Sequence, residues 1–312
     1  MMFKKPKFWD LKKPSIYSYI LLPFTLPIIL NNFLLKLKTK QKNKEVKTIC
    51  VGNIYLGGTG KTPTTIKLYE ILKNLNFKVS TAKKFYSSQL DENTILNNKT
   101  KFLNAKNRNL VLNQAIKNQQ NVVIFDDGLQ DKTICYDLEL VCFDADSFVG
   151  NGFLIPSGPL REKLKSLIKY DGVFLKSQNQ NNNDQISLIK KYNPKIEIFI
   201  TSFEVTNLKE FNINVNYLIF SGIGNSENFK KILKENNFNI IDEIIFPDHH
   251  IYKNIEIENI IKKAKDKNLE IITTEKDFVK ISKEYLRDIK FLKLNLKIQD
   301  EKRLINFLKK SL

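Results

Sequence analysis

Short apolar runs alternate with amphipathic stretches from Lys47 to the end of the chain. Helical patterns lie between several of the runs, for example over Pro63–Leu75, Asn228–Lys234 and Glu256–Lys267. Strands that alternate with helices are typical of parallel α/β architecture, which we predict here. The predicted strands are Thr48–Val51, Val122–Phe125, Leu138–Phe143, Val173–Leu175, Ile196–Ile200, Tyr217–Phe220, Ile271–Thr273 and Phe291–Leu294.

The N-terminal part departs from this alternation. Ile16 to Leu35 is a mostly apolar window without a charge, and about 20 such residues are long enough to cross a bilayer. Pro23 and Pro27 interrupt it, and lysines flank it on both sides, whereas a spanning helix has its lysine excess on one side. We expect a membrane-associated segment, with a broken helix in the cytoplasmic leaflet fitting better than a spanning one. A buried core helix is the alternative. The flanking lysines are Lys4, Lys5, Lys7, Lys12 and Lys13 before it, and Lys36, Lys38, Lys40, Lys42 and Lys44 after it.

A glycine-rich turn follows the first predicted strand. It continues into a helical pattern through Gly-Lys-Thr, and a strand, glycine turn and helix in that order form a phosphate-binding P-loop. Backbone N–H groups and the lysine face the phosphates, and the threonine hydroxyl holds Mg²⁺. Tyr55 stands where the usual motif has its first glycine. The chain therefore carries a candidate site for a nucleoside triphosphate, formed by Gly57, Gly58, Thr59, Gly60, Lys61 and Thr62.

Two further elements suggest a division into domains. The Asn/Gln-rich patch from Gln178 to Gln185 predicts a loop or short linker. A second α/β unit is expected to begin near Ile196, because Gly222 and Gly224 again follow a strand and precede a helix. We predict an N-terminal segment over residues 1–45, a P-loop domain over 46–195 and a smaller Rossmann-like lobe over 196–312, whose last helix is free to pack back on the larger domain.

The charge balance is strongly basic. The net charge is +18, although 42% hydrophobic and 27% charged residues are ordinary for a globular protein. The excess indicates an anionic partner such as nucleic acid or an acidic membrane face, or a lysine-rich composition spread over solvated surfaces. No stripe of aromatic residues interleaved with lysines supports nucleic-acid binding. Three isolated cysteines are expected to be core residues in a reducing compartment.

Acidic, histidine and arginine residues mark further candidate sites. Asp126 and Asp127 end the run Val122–Phe125, where carboxylates beside a P-loop hold Mg²⁺ or its waters; an Asp-Gly turn is the alternative. His249 and His250 are the chain's two histidines and are candidates for orienting a base or moving a proton, with a structural turn as the alternative. The Gly- and Pro-rich loop from Gly150 to Glu162 contains Arg161, which could bind a phosphate in a bidentate way.

In combination these segments resemble the tetraacyldisaccharide 4′-kinase family, the lipid A 4′-kinases of Gram-negative bacteria. They occur in the family's order over nearly the whole chain from Trp9, and Tyr55 is the family's own variation of the P-loop. The matching segments are Val51-Gly52-Asn53 through Gly57-Gly58-Thr59-Gly60-Lys61-Thr62-Pro63, Asp126-Asp127-Gly128-Leu129-Gln130, Gly150-Asn151-Gly152 to Arg161-Glu162, Gly222-Ile223-Gly224-Asn225, Phe246-Pro247-Asp248-His249-His250 and Thr273-Thr274-Glu275-Lys276-Asp277.

The resemblance implies an ATP- and Mg²⁺-dependent kinase that phosphorylates the 4′-hydroxyl of tetraacyldisaccharide 1-phosphate to give lipid IVA at the cytoplasmic face of the inner membrane. It implies a lipid disaccharide substrate and contact with inner-membrane lipids, and no nucleic acid or obligate protein partner. By motif, Lys61 and Thr62 hold phosphates and Mg²⁺, with Asp126 and Asp127 on the metal side. Asp91 matches the family's catalytic aspartate, which one of the two histidines would pair with, and the second lobe could close over the first.

Two places depart from the family. Ala82-Lys83-Lys84-Phe85 stands where Ser-Arg-Gly-Tyr is usual, and Asp131 replaces the histidine that commonly follows Asp-Asp-Gly-Leu-Gln. A membrane-bound P-loop ATPase switch without a lipid acceptor is the main rival reading. Such switches often carry a lysine directly before Gly-Gly-x-Gly-Lys-Thr, and Leu56 at that position counts against it.

Overall fold

A computed structural model describes residues 5–37, 43–84, 90–131, 133–178 and 181–312. The described residues divide into two compact units, one within the ranges 5–84, 96–202 and 296–312, and the other within the ranges 90–95 and 203–295. We call them the P-loop unit and the second unit. The domain limits proposed from the sequence stay a prediction. Lys4, Lys38, Lys40, Lys42 and Phe85, and residues 179–180 of the Asn/Gln-rich patch, lie outside the described residues.

An eight-stranded sheet carries the P-loop. Its strand order is β12-β7-β6-β5-β1-β4-β2-β3, and the pairs from β7 to β3 are parallel. Parallel strands are buried on both faces, which explains the continuous apolar runs. The strands are β1 (Lys47–Gly52), β2 (Val79–Lys84), β3 (Phe102–Ala105), β4 (Val122–Asp126), β5 (Leu138–Asp144), β6 (Gly172–Lys176), β7 (Glu197–Val205) and β12 (Leu294–Ile298).

Helices cover both faces of this sheet. Successive side chains of β1 point to opposite faces, so Cys50 lies in one apolar cluster and Ile49 in the other. The first cluster includes residues of α5 and α6, and the second includes Leu68 of α3 and Leu304 of α10. Burying each leucine contributes about 1.5–3 kcal/mol. The helices are α3 (Lys61–Asn74), α5 (Arg108–Lys117), α6 (Asn183–Tyr192) and α10 (Glu301–Ser311). The helix α4 (Leu90–Lys99) begins in the second unit.

The second unit is built on a four-stranded parallel sheet with the order β11-β10-β8-β9. Leu218 and Phe220 of β8 pack with α8, whereas the alternate residues Tyr217 and Ile219 pack with α7. The sheet is therefore covered on both faces. The elements are β8 (Asn216–Ser221), α7 (Ser226–Glu235), β9 (Asn239–Ile245), α8 (Asn254–Asp266), β10 (Glu270–Thr274), α9 (Glu275–Phe278) and β11 (Ile289–Leu292).

The N-terminal apolar window is broken, as its prolines predict. It forms the short helix α1 (Ile16–Ile20), a 3₁₀ turn over Leu22–Thr25 and the helix α2 (Leu26–Leu37). Across the described ranges of the chain, no helix combines the length and the apolar character that crossing a membrane requires.

Two of the segments that were interpreted from the sequence have a different structure. The run Phe291–Leu294 is not one strand: the backbone of Lys293 bonds to Thr206 and Asn207, which ends β11 and lets β12 begin in the other sheet. The Asn/Gln-rich patch is not entirely loop, because α6 begins at Asn183, and Asp184 in its first turn favours the helix N-terminus.

Candidate active site

The P-loop links β1 to α3 as predicted. Gly60 caps α3 with a φ of 85°, a left-handed conformation that favours glycine. The buried Asn53 side chain donates to the Gly57 carbonyl at 3.2 Å and to the Thr59 hydroxyl at 3.1 Å, which fixes the loop from inside. A side chain at Gly58 would meet no atom within 4 Å, so the backbone there borders open space. The backbone of the loop is thus accessible at the N-terminus of α3, and backbone N–H groups at a helix N-terminus favour binding of an anion.

Tyr55 has a structural role that explains its place in the loop. Its buried ring packs against Leu154 and Leu160, and its hydroxyl donates to Asp10 at 2.7 Å. Burial and the Asp10 carboxylate raise the pKa of Tyr55. The backbone of the same stretch bonds to the Gly/Pro-rich loop, since Arg161 N donates to Ile54 O at 2.7 Å. Tyr55 therefore attaches the P-loop to the loop that carries Arg161.

Asp126 lies at the end of β4, directly beside the P-loop threonine. Thr62 Oγ1 donates to Asp126 Oδ2 at 2.9 Å, and Lys83 Nζ lies 3.1 Å from the same oxygen. Both ends of the ion pair are buried, with side-chain exposures of 1% for Lys83 and 0% for Asp126. The predicted Thr62 and Asp126 are thus brought together. Lys83, from the stretch that departs from the family, is their neighbour.

Asp127 faces two cations. Its carboxylate lies 3.1 Å from Arg161 Nη1 and 3.9 Å from Lys61 Nζ. Arg161 also donates to Gln130 at 3.2 Å. The Asp-Asp-Gly-Leu-Gln segment and the Gly/Pro-rich loop, which were separate motifs in the sequence, therefore form one charged network beside Lys61.

Asp131, which stands where the family pattern has a histidine, forms an ion pair. Its carboxylate pairs with Arg108, whose Nη2 also donates to the Asp127 carbonyl at 2.8 Å. Burial raises the pKa of Asp131, but hydrogen bonds from Thr133 and the charge of Arg108 outweigh this effect, so the net pKa is lowered. The Arg108–Asp131 pair thus supports the backbone at Asp127.

The second unit contains a separate acid–histidine pair. Asp91, in the first turn of α4, is 3% exposed, and both its carboxylate oxygens lie 3.1 Å from His249 Nδ1. The φ of His249 is 59°, an uncommon conformation for a non-glycine residue. Its backbone N–H donates to the Gly222 carbonyl at 3.1 Å, which holds it in place.

Lysines surround this pair, and the sequence did not single them out. Lys276 Nζ lies 3.3 Å from His249 Nε2 and 3.8 Å from Asp91, and Lys280 Nζ lies 3.9 Å from Asp91. Burial raises the pKa of Asp91, but the His249 hydrogen bond and the charge of Lys276 outweigh it, so the net pKa is lowered. Asp91 is therefore a carboxylate at neutral pH, able to accept a proton.

Two motifs of the second unit meet at one buried carboxylate. Asp277 Oδ2 accepts from the backbone of Gly222 at 2.9 Å and from the hydroxyl of Thr274 at 2.7 Å. A Cβ at Gly222 would lie 3.1 Å from Asp277 and 3.0 Å from the Tyr252 hydroxyl, tighter than nearly all real contacts. These contacts connect the Gly-Ile-Gly-Asn and Thr-Thr-Glu-Lys-Asp segments. The bond from the His249 N–H to the Gly222 carbonyl joins the histidine segment to them, and Lys276 is thereby positioned next to His249.

The two histidines have different surroundings. His250 Nε2 lies 3.0 Å from Glu256 Oε2, and its ring stacks on Phe246 with centroids 4.7 Å apart. The third contact of the His250 ring is with Tyr252, with centroids 5.0 Å apart. Of the two candidates, His249 is thus the one placed against the predicted aspartate, while His250 supports the turn into α8.

The lowered pKa of Asp91 gives a test of this geometry. A carboxylate whose folded-state pKa is below its unfolded value of ~3.9 stabilises the fold above that value and loses this contribution as the pH falls through the folded pKa. We expect the difference in free energy of unfolding between wild type and Asp91→Asn, from urea titrations, to shrink as pH falls below about 4. A difference that stays constant across that range would contradict the assigned pairing.

The parallel sheet with its glycine-rich loop defines the chain as an α/β protein with a P-loop NTPase-like domain. The family described as tetraacyldisaccharide-1-P 4′-kinase has a sequence model that matches residues 19–101 and 88–312. The chain belongs to this family of kinases, which confirms the resemblance stated from its motifs.

Relatives and a solved structure agree with this membership. The chain is 47% identical to a tetraacyldisaccharide 4′-kinase of Pelagibacter ubique, over 98% of this chain and 97% of the relative. It is 36% identical to one of Rickettsia bellii, over 88% and 89% of the two chains. A crystal structure of LpxK from Aquifex aeolicus in complex with ATP is similar in fold, with a TM-score of 0.72 and 20% identity over 95% of this chain and 99% of that one.

Proposed function

We propose that this protein transfers the γ-phosphate of ATP to the 4′-hydroxyl of tetraacyldisaccharide 1-phosphate, giving lipid IVA in lipid A biosynthesis. The observation that carries the proposal is the buried Asp91 carboxylate paired with His249 at 3.1 Å. A sugar hydroxyl must lose its proton when it attacks phosphorus, and a positioned carboxylate can accept it. The relatives are named tetraacyldisaccharide 4′-kinase, which supports the choice of acceptor.

ATP is assigned to the P-loop. The backbone of residues 57–60 and the start of α3 supply N–H donors for its phosphates, and Lys61 adds a positive charge. The open space over Gly58 leaves room for a ligand against the backbone. Arg161 and Lys61 face the same Asp127 carboxylate, at 3.1 Å and 3.9 Å, so we assign Arg161 to neutralise phosphate charge together with Lys61.

The residues beside the P-loop fit a magnesium ion. Thr62 and Asp126 supply hydroxyl and carboxylate oxygens 2.9 Å apart, and Asp127 supplies a second carboxylate on the adjacent residue. Mg²⁺ prefers oxygen ligands and is usually held by one or two carboxylates together with substrate phosphates, so a larger cluster is not required. When bound, the ion neutralises charge on the phosphates. We assign Thr62, Asp126 and Asp127 to hold it.

Asp91 is assigned as the group that accepts the proton of the acceptor hydroxyl. Its lowered pKa keeps it ionised at neutral pH, and the bond to His249 fixes the orientation of the carboxylate. His249 is therefore assigned as the residue that orients Asp91. His250 is assigned no chemical role, because its contacts are with Glu256 and Phe246.

We place the protein at the cytoplasmic face of the inner membrane through its N-terminal segment. α1, α2 and the 3₁₀ turn between them expose many large apolar side chains, which marks an interaction surface on a protein. The segment is attached to the P-loop unit, since Asn32 donates to the Arg161 carbonyl and Ser18 contacts Asn151, both at 2.9 Å. The exposed residues are Ile16, Tyr17, Tyr19, Ile20, Leu22, Phe24, Leu26, Ile29, Leu30, Phe33 and Leu34.

The activity is tested by following labelled γ-phosphate from ATP to tetraacyldisaccharide 1-phosphate in detergent micelles. We expect transfer by the wild-type chain and none by Lys61→Ala, because that variant lacks the P-loop ammonium. ATP binding and folding of both proteins are checked in parallel. ATP hydrolysis that is indifferent to the lipid, without transfer, would contradict the proposal and favour the ATPase switch.

The membrane placement predicts binding to vesicles of phosphatidylethanolamine and phosphatidylglycerol. In Ile16→Ser/Ile20→Ser/Phe24→Ser, three side chains that are 71%, 61% and 64% exposed lose their apolar character. We expect the vesicle affinity to fall at least ~100-fold, since each buried side chain contributes about 1.5–3 kcal/mol. Ile168→Ser, at a residue 70% exposed elsewhere in the P-loop unit, is the control and should bind like wild type. Equal sedimentation of the triple variant and wild type would overturn the placement.

A further inference from the structure

The two ring nitrogens of His249 face groups of opposite charge. Nδ1 lies 3.1 Å from each carboxylate oxygen of Asp91, and Nε2 lies 3.3 Å from the ammonium of Lys276. Two more acids are farther from Nε2, with Glu92 and Asp248 oxygens at 3.9 Å. Among the residues that the structure describes, the nearest side-chain partner of Nε2 is thus a cation, and that of Nδ1 is an anion.

The chemistry of these partners selects one tautomer. An ammonium has three donors and no acceptor, so Nε2 can bond to Lys276 only through its lone pair. The ring proton then resides on Nδ1, where it donates to the Asp91 carboxylate. The opposite tautomer would direct an N–H at the ammonium and a lone pair at the carboxylate, and so lose both hydrogen bonds.

We infer that Lys276 is a positioning residue that holds His249 in the neutral Nδ1–H tautomer and thereby orients the Asp91 carboxylate. The consequence for phosphoryl transfer rests on the proposed function of Asp91; the tautomer itself does not. With Nδ1–H donating, Asp91 keeps further lone pairs for the acceptor hydroxyl. Lys276 acts on the reaction through His249.

Lys276 is well placed to remain a cation. Its Nζ lies 3.1 Å from Asp248, 3.4 Å from Glu92 and 3.8 Å from Asp91. Burial lowers the pKa of Lys276, but these three carboxylates outweigh it and the net pKa is raised. A neutral amine, which could accept a proton from Nε2, is therefore excluded at neutral pH. Lys280, the other lysine near Asp91, pairs instead with Asp277, whose carboxylate lies 2.7 Å from the Lys280 ammonium.

The tautomer is measured by ¹⁵N–¹H correlation spectra of the imidazole nitrogens in the full-length ¹⁵N-labelled chain at slightly alkaline pH. The chain has two histidines, so the spectrum holds two rings, and a His250→Asn variant assigns the signals of His249. In the wild type we expect a protonated Nδ1 and an unprotonated Nε2. A proton on Nε2 would overturn the inference, and this measurement needs no variant of Lys276 to fold.

Variants then test the cause. Lys276→Met, which removes the donor and keeps the length of the side chain, should give mixed or Nε2–H signals at His249. Lys276→Arg should restore the wild-type pattern, because a guanidinium also only donates. Lys290→Met, at an exposed lysine paired with Glu270 in the same unit, is the matched control and should leave the pattern unchanged. A wild-type pattern in Lys276→Met would overturn the inference.

Kinetics separate this inference from the proposed function. Lys276→Met should lower kcat roughly 10-fold or more, less than loss of an acid–base group, with the KM for ATP unchanged. Lys276→Arg should recover most of kcat. If the tautomer changes as expected and kcat does not, the role of Asp91 in catalysis fails while the assignment of the tautomer stands.

Discussion

Asp91→Asn should lower kcat for transfer to the lipid acceptor by about 10²–10⁴-fold, the usual contribution of a positioned acid–base group. Asparagine has the size of aspartate and can still accept a hydrogen bond from His249, but it cannot take a proton from a hydroxyl. ATP affinity should be unchanged, because the residues that we propose to bind ATP are Lys61, Thr62 and their neighbours in the P-loop. The measurement is steady-state transfer kinetics together with ATP binding by calorimetry.

The two histidines supply the matched comparison for this prediction. His249→Ala removes the donor 3.1 Å from Asp91 and should also reduce kcat, whereas His250→Ala removes a contact with Glu256 and should have a much smaller effect. Wild-type turnover in Asp91→Asn would contradict the assignment of Asp91 as the proton acceptor. Equal losses in the two histidine variants would instead indicate a general structural role for the turn.

Lys83→Met should lower the free energy of unfolding by about 3–5 kcal/mol, the cost of breaking a buried ion pair. The lysine and Asp126 are 1% and 0% exposed, with Nζ and Oδ2 3.1 Å apart, so the change takes the ammonium away from a carboxylate that water does not reach. The hydrogen bond from Thr62 compensates part of this cost, which favours the lower end of the range. Urea unfolding followed by circular dichroism measures it.

Two further variants separate charge from packing. Lys67→Met removes a more exposed ion pair with Glu301 and should cost less than about 1 kcal/mol. In Lys83→Met/Asp126→Leu both charges are gone, and much of the lost stability should return although the transfer activity does not. If Lys83→Met costs no more than Lys67→Met, the buried pair is not the stabilising interaction that its geometry indicates.

The hydrophobic pattern predicted the apolar strands but not the polar ones. β1, β4, β5, β6, β8 and β10 lie within two residues of the predicted strands, because parallel strands buried on both faces are apolar throughout. β2 was not predicted: Ser80, Thr81 and Lys83 are polar although they are buried. β9 lies at the edge of its sheet and is partly exposed, so polar residues interrupt it. It therefore lacks the continuous apolar run by which the other strands were predicted.

The candidate site was predictable to different degrees in its parts. Lys61, Thr62 and Asp126 belong to local motifs with known spacing, and the structure brings Thr62 and Asp126 to 2.9 Å. Asp91 was identified by family resemblance, since an acidic pair at a helix start has no distinctive local pattern. Lys276 lies within one of the segments that match the family, but the sequence did not indicate a role for it. A single lysine in a lysine-rich chain carries no local pattern that predicts its partner.

By itself, the sequence determined the α/β alternation, the P-loop, the broken apolar N-terminal segment and, through its motifs, the family. Those features depend on neighbours along the chain, such as a strand followed by glycines and a helix. The tertiary structure decided which histidine meets Asp91, 158 residues away, and which cation faces each carboxylate. Such pairings are set by the register and packing of distant elements, so residue type and local spacing do not determine them.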